Sequence, residues 1–430
     1  MTDSELNSSP CPSYDAFHLP SKYTFLKVLG EGSFGTVLKC WKKDTKETVA
    51  VKIPKSSECL NSEIAMLKKF KRLKLEQHNI IKFLCCFNTS HGRALVFEML
   101  DMSMRDYMVK TNCAPMRLSD VSTIIQQLAK ALKALKGIGV IHTDLKFDNI
   151  MLVDHRTRPF QVKLIDFGLA IKCSKAKQGK MLQNHYFRAP EIILGLPFSE
   201  AIDMWSLGIM MACFVHGQLL FLGRTEYELL QYINRILGQP ADYLLNNGHK
   251  TKCYFTRTES NSWRLKTQEE YEPNNSRSPL SLLCNALDDL KHLHLDPNNS
   301  AEAVKRGQYI DLLKAMLKLD GTERISPTEV LTHPFIASGH HSSYSRTPIE
   351  KPRHRTTSIN PDRHHPALSP QVHPSGVILV RPAAAKNVLQ TEDEDSSISL
   401  EAEPKKKNCV RRFFSWMRKT FCCSITIKRI

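Results

Sequence analysis

The feature that most constrains this chain is one short span rich in chemistry. It runs Ile141-His142-Thr143-Asp144-Leu145-Lys146-Phe147-Asp148-Asn149 and resumes at Leu164-Ile165-Asp166-Phe167-Gly168. An acid, a cation, an amide and a second acid lie close together in it. Asp144 is placed to accept the proton of an attacking hydroxyl, and Lys146 to balance charge on a moving phosphoryl group. Asn149 and Asp166 offer hard oxygen ligands of the kind magnesium takes. Phosphoryl transfer needs charge neutralisation and alignment more than covalent help, and this spacing supplies both. Ile141, Ile150, Met151, Leu152, Val162, Leu164 and Ile165 read as short buried strands flanking the loop that carries these groups.

Upstream, Phe25-Leu26-Lys27-Val28-Leu29-Gly30-Glu31-Gly32-Ser33-Phe34-Gly35-Thr36-Val37 has apolar alternation on both sides of a glycine cluster. That pattern predicts a hairpin whose backbone can lie close over phosphates. On its own a G-x-G-x-x-G is weak evidence, equally compatible with an ordinary glycine turn. It is followed by the β-branched strand Thr48-Val49-Ala50-Val51-Lys52, whose lysine reads alone as an edge-strand surface residue. Next, Ile64, Leu67 and Phe70 fall on one face of a predicted helix containing Glu63. Residues 94–100 read as a buried strand running into a connector. Residues 119–139 carry apolar positions at helical spacing and end on Gly137 and Gly139.

These motifs, in this order over residues 25–336, resemble those of eukaryotic protein kinases. The resemblance continues through Ala189-Pro190-Glu191, Asp203-Met204-Trp205-Ser206-Leu207-Gly208, Glu323-Arg324-Ile325 and His333-Pro334-Phe335. It implies an α+β, bilobal protein kinase fold with a small β-rich N-lobe and a large helical C-lobe, followed by a disordered tail. It implies ATP and Mg2+ as cofactors. Gly30, Glu31, Gly32, Ser33, Phe34, Gly35, Val37 and Ala50 would surround the nucleotide. Lys52 would hold its phosphates and pair with Glu63, Glu58 being the runner-up. Phe97 would guard the back pocket, and the backbone of Glu98 to Leu100 would bond the adenine. Leu67 would pack on Phe167, Glu191 would pair with a buried Arg324, and Asp203 would hold the backbone of the catalytic loop. Asp144 and Lys146 are then the catalytic pair, and Asn149 and Asp166 the metal ligands. Most kinases carry an arginine at Thr143 that grips a phosphate on the activation segment, so control by such a grip is in doubt here, although the kinase group resembled most closely usually lacks that arginine too.

Gly195-Leu196-Pro197-Phe198, Glu226-Tyr227, Gly238-Gln239-Pro240 and a long polar insert from about 241 to 305 are most similar to homeodomain-interacting protein kinases. That resemblance, with Arg188 before the Ala-Pro-Glu triplet, implies protein substrates with Ser/Thr-Pro sites. Transcription regulators are expected among them, and self-sites are expected at Thr347-Pro348 and Ser369-Pro370. In this group a tyrosine in the activation segment is self-phosphorylated. Met181 stands there, so that route is expected to be closed, and Tyr186 reads as a packing or substrate-site residue.

The expected organisation is a flexible leader (1–22), a kinase domain (23–336), a disordered linker (337–404) and a basic amphipathic segment (405–430). Within the domain, the N-lobe is about 23–97, the hinge 98–100 and the C-lobe about 101–336. The 13 cysteines form no Cys-x-x-Cys pair and read as reduced thiols in an intracellular chain. His340-His341 and His364-His365 read as linker rather than metal ligands. Val377-Ile378-Leu379-Val380 is either a chance apolar run or a strand that adds to a small ubiquitin-like modifier. Of the net +17, Lys405, Lys406, Lys407, Arg411, Arg412, Arg418, Lys419, Lys428 and Arg429 contribute nine, with no acid after Glu403. An anionic partner is expected there, an import receptor or an anionic membrane, with no direct nucleic-acid binding. Val410, Phe413, Phe414, Met417 and Phe421 form one face of a predicted helix, Cys409, Cys422 and Cys423 are acylation candidates, and a helix docked on the kinase domain is the third reading. The expected location is nucleus and cytoplasm, with membrane association as the alternative. The rivals to an active kinase are a catalytically dead scaffold and an adaptor acting through the basic end. The presence of Lys52, Asp144, Asn149 and Asp166 favours the enzyme.

Overall fold

The structure, a computed structural model, describes residues 18–32, 35–55, 60–90, 92–273, 284–291 and 300–337. Ser33, Phe34, Glu58, most of the leader, the expected linker beyond Ala337 and the basic end lie outside the described residues.

The N-lobe is built from β1 (Tyr23–Gly32), β2 (Gly35–Lys42), β3 (Glu47–Pro54), α1 (Leu60–Arg72), β4 (Phe83–Thr89) and β5 (Gly92–Glu98). The strands form one antiparallel sheet in the order β1-β2-β3-β5-β4. Side chains alternate across a strand, and this sheet uses both faces. Val49, Val51 and Ile53 of β3 join Ala94 and Val96 of β5 in a small outer core. Leu95 and Phe97 point the other way, into the larger core with Ile64, Leu67 and Phe70 of α1. Lys52 lies between Val51 and Ile53, so the same alternation turns it toward α1. The strand expected over 94–100 ends at Glu98, where the chain leaves the sheet for the connector.

In the C-lobe, α2 (Met104–Lys110) and α3 (Leu118–Gly137) lead to the short strands β6 (Val140–Ile141), β7 (Ile150–Asp154), β8 (Arg158–Leu164) and β9 (Ile171–Lys172). β7 pairs with β8 and β6 with β9, so two small ladders frame the catalytic loop and fix the start of the activation segment. After α4 (Pro190–Leu194) comes α5 (Ala201–His216), buried at every residue from Ile202 to His216. A helix that is apolar all round belongs at the centre of a lobe. The polar residues of α5 are there for others: Asp203 and Ser206 both bond loops outside it.

The insert expected as polar chain has structure of its own. It follows α6 (Glu226–Leu237) as α7 (Asp242–Asn247), α8 (Thr251–Tyr254), the hairpin β10 (Phe255–Arg257) and β11 (Trp263–Leu265), and α9 (Gln268–Tyr271). Scattered aromatics hold it. Tyr227 of α6 stacks on Tyr271 at 4.1 Å, its hydroxyl donates to the Lys266 carbonyl at 2.6 Å, and Trp263 donates to Asn246 at 2.8 Å. Such anchors show no sequence period, which is why pattern reading passes over them. The next helix, α10 (Ser300–Met316), already begins inside the stretch assigned to the insert. α11 (Pro327–Thr332) and α12 (Pro334–Ala337) close the fold. Gly208 lets α5 and α10 touch, since a Cβ there would stand 2.9 Å from Met316 Cβ. No described helix is long and apolar enough to cross a membrane.

Candidate active site

Lys52 Nζ lies 3.1 Å from Glu63 Oε1 on α1 and 2.9 Å from Asp166 Oδ1 on the loop after β8. Burial works against the lysine's charge, but the Asp166 and Glu63 carboxylates outweigh it and hold Lys52 above its ordinary value. Burial pushes Glu63 up, and Lys52 offsets this only in part. Burial also works upward on Asp166, yet the ammonium beside it wins and holds it below the usual carboxylate range. Glu63 is therefore the partner of Lys52. Phe167 meets the rings of Phe70 and His142 edge-on at 4.8 and 5.1 Å, and Leu67 is fully buried in the same core.

The catalytic loop is held from below by α5. Asp203 accepts from the His142 and Thr143 backbone N–H groups at 2.7 and 2.9 Å. Burial pushes its carboxyl up to about 6 despite these bonds. The His142 ring bonds the Ile165 carbonyl through Nε2 and accepts the Asp144 N–H at Nδ1, so one neutral tautomer satisfies both sides. Thr143 sits at φ 68, a left-handed position costly for a β-branched residue. Its N–H is held by Asp203, and its hydroxyl donates to the Leu169 carbonyl at 2.8 Å. Where an arginine would reach for a phosphate, this chain thus ties the loop directly to the start of the activation segment. Asp144, 5% exposed, accepts Lys146 Nζ at 2.7 Å and Asn149 Nδ2 at 2.9 Å, both on Oδ2. Oδ1 is the oxygen left to receive a proton.

The donor set fits a divalent cation bound with ATP. Asn149 spends its Nδ2 on Asp144, which turns its amide oxygen away from that residue. Asp166 meets Lys52 and the Gly168 N–H through Oδ1, leaving Oδ2. Both are hard oxygens of the kind a divalent cation takes. In the glycine loop only Gly35 is required by the fold. Its φ is 138, and a Cβ would stand 2.1 Å from the Ile53 carbonyl oxygen. Gly30 and Gly32 would meet nothing within 4 Å, so their smallness is free to serve a ligand. Val37 faces Lys52 across β2–β3, and Ala50 faces Phe97 across β3–β5.

At the hinge one backbone group of the expected set is already engaged. The Glu98 N–H is taken by the Lys82 carbonyl at 3.1 Å, so this donor does not face a nucleotide. The Glu98 side chain, which sequence reading left out, holds Lys163 of β8 at 2.6 and 2.7 Å and braces the connector against the C-lobe.

The activation segment shows several contacts that no motif announces, beside the expected Glu191–Arg324 pair. Gln178 donates to the Gly195 and Asn247 carbonyls at 3.0 and 2.9 Å. Met181 is exposed, and Tyr186 is buried edge-on to His185. Gln183 sits at φ 65 with its carbonyl taken by Arg188 Nη2 at 2.9 Å. Arg188 also donates to the Leu182 carbonyl and to Glu226 Oε1, each at 2.9 Å. Glu191 pairs with Arg324 at 2.7 and 3.0 Å, and Arg324 also meets the Ala201 and Lys318 carbonyls.

The profile of the protein kinase domain matches residues 23–336, and the chain belongs to the protein kinase family. Its class is that of the serine/threonine protein kinases. Among relatives, it is 41% identical over 349 residues to homeodomain-interacting protein kinase 1 of Mus musculus, covering 76% of this chain and 29% of that protein. It is 40% identical over 337 residues to homeodomain-interacting protein kinase 2 of Mus musculus, covering 75% of this chain and 28% of that protein. It is 35% identical over 338 residues to homeodomain-interacting protein kinase 4 of Mus musculus, covering 73% and 55%. The chain therefore spans less than a third of the length of the first two.

Proposed function

We propose that this chain transfers the γ-phosphoryl group of ATP, with Mg2+, to serine or threonine hydroxyls followed by proline in protein substrates. Lys52 holds the nucleotide phosphates and is itself held by Glu63. Asp144 Oδ1 receives the hydroxyl proton, and Lys146, bonded to Oδ2, balances charge as the phosphoryl group moves. Asn149 and Asp166 hold the metal, which when bound neutralises phosphate charge.

The observation that carries the substrate reading is the Gln183 carbonyl, turned to a left-handed position and occupied by Arg188. A residue following the acceptor over this stretch finds that oxygen already taken. An ordinary residue there has an N–H to satisfy, and proline has none. A peptide library presented to the purified chain with ATP and magnesium tests this. Enrichment of proline after the acceptor is expected; no gain from proline overturns the substrate claim.

Activation without a phosphotyrosine belongs to the same reading. The Thr143–Leu169, Gln178 and Arg188 contacts support an activation segment ordered by the chain's own groups. Phosphatase treatment is expected to leave at least about half of the activity, where loss of a required phosphate group costs on the order of tenfold or more. Tyr186 phosphate found by mass spectrometry and needed for activity would overturn this. Transcription regulators are the proposed substrate class, since the relatives are named for interacting with homeodomain proteins. Nucleus and cytoplasm are the proposed location, with the membrane as alternative. Fusing residues 400–430 to a fluorescent protein, with and without Phe413, Phe414 and Trp416, separates the two.

A further inference from the structure

We infer that Tyr254, in the insert, is a positioning residue for the choice of residue after the phosphorylated hydroxyl. This rests on the proline-directed reading of Gln183.

Glu226 begins α6 and uses both carboxylate oxygens. Oε1 accepts Arg188 Nη1 at 2.9 Å, and Oε2 accepts the Tyr254 hydroxyl at 2.5 Å. Arg188 spends Nε on the Leu182 carbonyl and Nη2 on the Gln183 carbonyl. A continuous line of hydrogen bonds therefore runs from Tyr254 through Glu226 and Arg188 to the oxygen that decides whether an N–H is accepted. Tyr254 is buried at 6% exposure, and the Glu226 side chain is at 19%. Glu226 thus has access to water, and a second partner is what fixes it on Arg188. Burial pulls the Arg188 guanidinium below its ordinary value, so a well-aimed carboxylate matters to it.

Tyr254 is itself held. Its carbonyl accepts the Lys266 N–H at 2.9 Å, and its ring lies 6.2 Å from that of Tyr271, which stacks on Tyr227. The aromatic group that folds the insert thus ends on the hydroxyl that aims Glu226. With the hydroxyl gone, Glu226 can turn to solvent. Arg188 then loses its fixed direction, and the Gln183 carbonyl becomes available to an ordinary residue.

The test compares kcat/KM for paired peptides differing only in Pro or Ala after the acceptor. Tyr254→Phe keeps the ring and removes the hydroxyl. Its Pro-to-Ala ratio is expected to fall about 3- to 10-fold, mainly through a gain on the Ala peptide. Tyr227→Phe removes a neighbouring hydroxyl bonded to Lys266 outside this line, and is expected to keep the wild-type ratio. A Tyr254→Phe ratio equal to wild type overturns the inference alone. An equal loss of rate on both peptides also overturns it, because that marks a purely structural tyrosine. A wild-type enzyme without proline preference overturns the reading beneath it instead.

Discussion

Lys52 and Arg188 are buried to the same degree, each side chain 14% exposed, and each faces carboxylate, yet they are built for different work. Lys52 stands between two acids from separate elements, Glu63 on α1 and Asp166 on the loop after β8. An ammonium is a compact charge that can be re-aimed, and a nucleotide phosphate can replace one acid without breaking the lobe. Arg188 uses its planar fork on one acid and two carbonyls, so each nitrogen has a fixed address. Equal burial therefore does not mean equal role. Under the proposed function the first centre exchanges partners during turnover, and the second holds a backbone shape through it.

The comparison predicts opposite signatures. Breaking the phosphoryl-transfer centre is expected to remove rate and spare the fold. Asp144→Asn should lower kcat at least about 10²- to 10⁴-fold, measured as ATP-dependent phosphorylation in protein free of other kinases. Lys52→Met should do likewise, and Glu63, already pushed up by burial, can take a proton in its place. Robust turnover by Asp144→Asn would sink the mechanism.

A fixed pair away from the chemistry is expected to show the reverse. Arg324→Ala leaves Glu191 buried and uncompensated, and should cost about 3–5 kcal/mol in denaturant unfolding. A loss below about 1 kcal/mol would mean that this pair does not anchor the C-lobe.

Arg188→Lys sits between these extremes. A lysine cannot span three acceptors, so the Pro-to-Ala ratio should fall about tenfold with a smaller change in kcat on Pro peptides. An unchanged ratio would separate Arg188 from substrate choice.

The smallest effect concerns pH. The Asp203 carboxyl is raised to about 6 in the folded chain from an ordinary 3.8. As pH falls between those values, the folded chain binds a proton that the unfolded chain does not. This group therefore adds stability on acidification, and its cost is fully present only above about 6. Protonation, however, removes an acceptor from the His142 and Thr143 N–H groups. Activity is expected to decline below about pH 6 while circular dichroism shows the fold intact. The residual activity of Asp203→Asn should lack that limb; a limb unchanged in that variant would assign it to another group.

The sequence shows one of these centres far better than the other. Lys52, Glu63, Asn149, Asp166, Asp203 and the Glu191–Arg324 pair could be named from motifs. Asn149 and Asp166 follow from the chemistry of their residue types, and the others from the resemblance to protein kinases. Gln183 could not, because nothing in a glutamine announces a left-handed backbone. Thr143 read as the loss of an arginine, and its hydroxyl contact became visible only in three dimensions. The Glu98 side chain was overlooked because its partner, Lys163, is 65 residues away. The insert looked like polar chain because isolated aromatics fold it. Phe70 joins Leu67 on the buried face of α1, and its edge contact with Phe167 is one that spacing alone did not single out.

Phe97 carries one more consequence, for chemistry done from outside the cell. Its ring is 8% exposed at the end of β5 and meets Phe83 edge-on at 5.7 Å. Trimming it to alanine would leave a void costing about 3–5 kcal/mol. A nucleotide bearing a bulky group on its base could fill that void and recover part of the loss, whereas unaltered kinases would have no room for it. Under the proposed function, with this packed ring at the back of the nucleotide site, the position offers an orthogonal handle through which this chain alone could label its substrates in a cell extract.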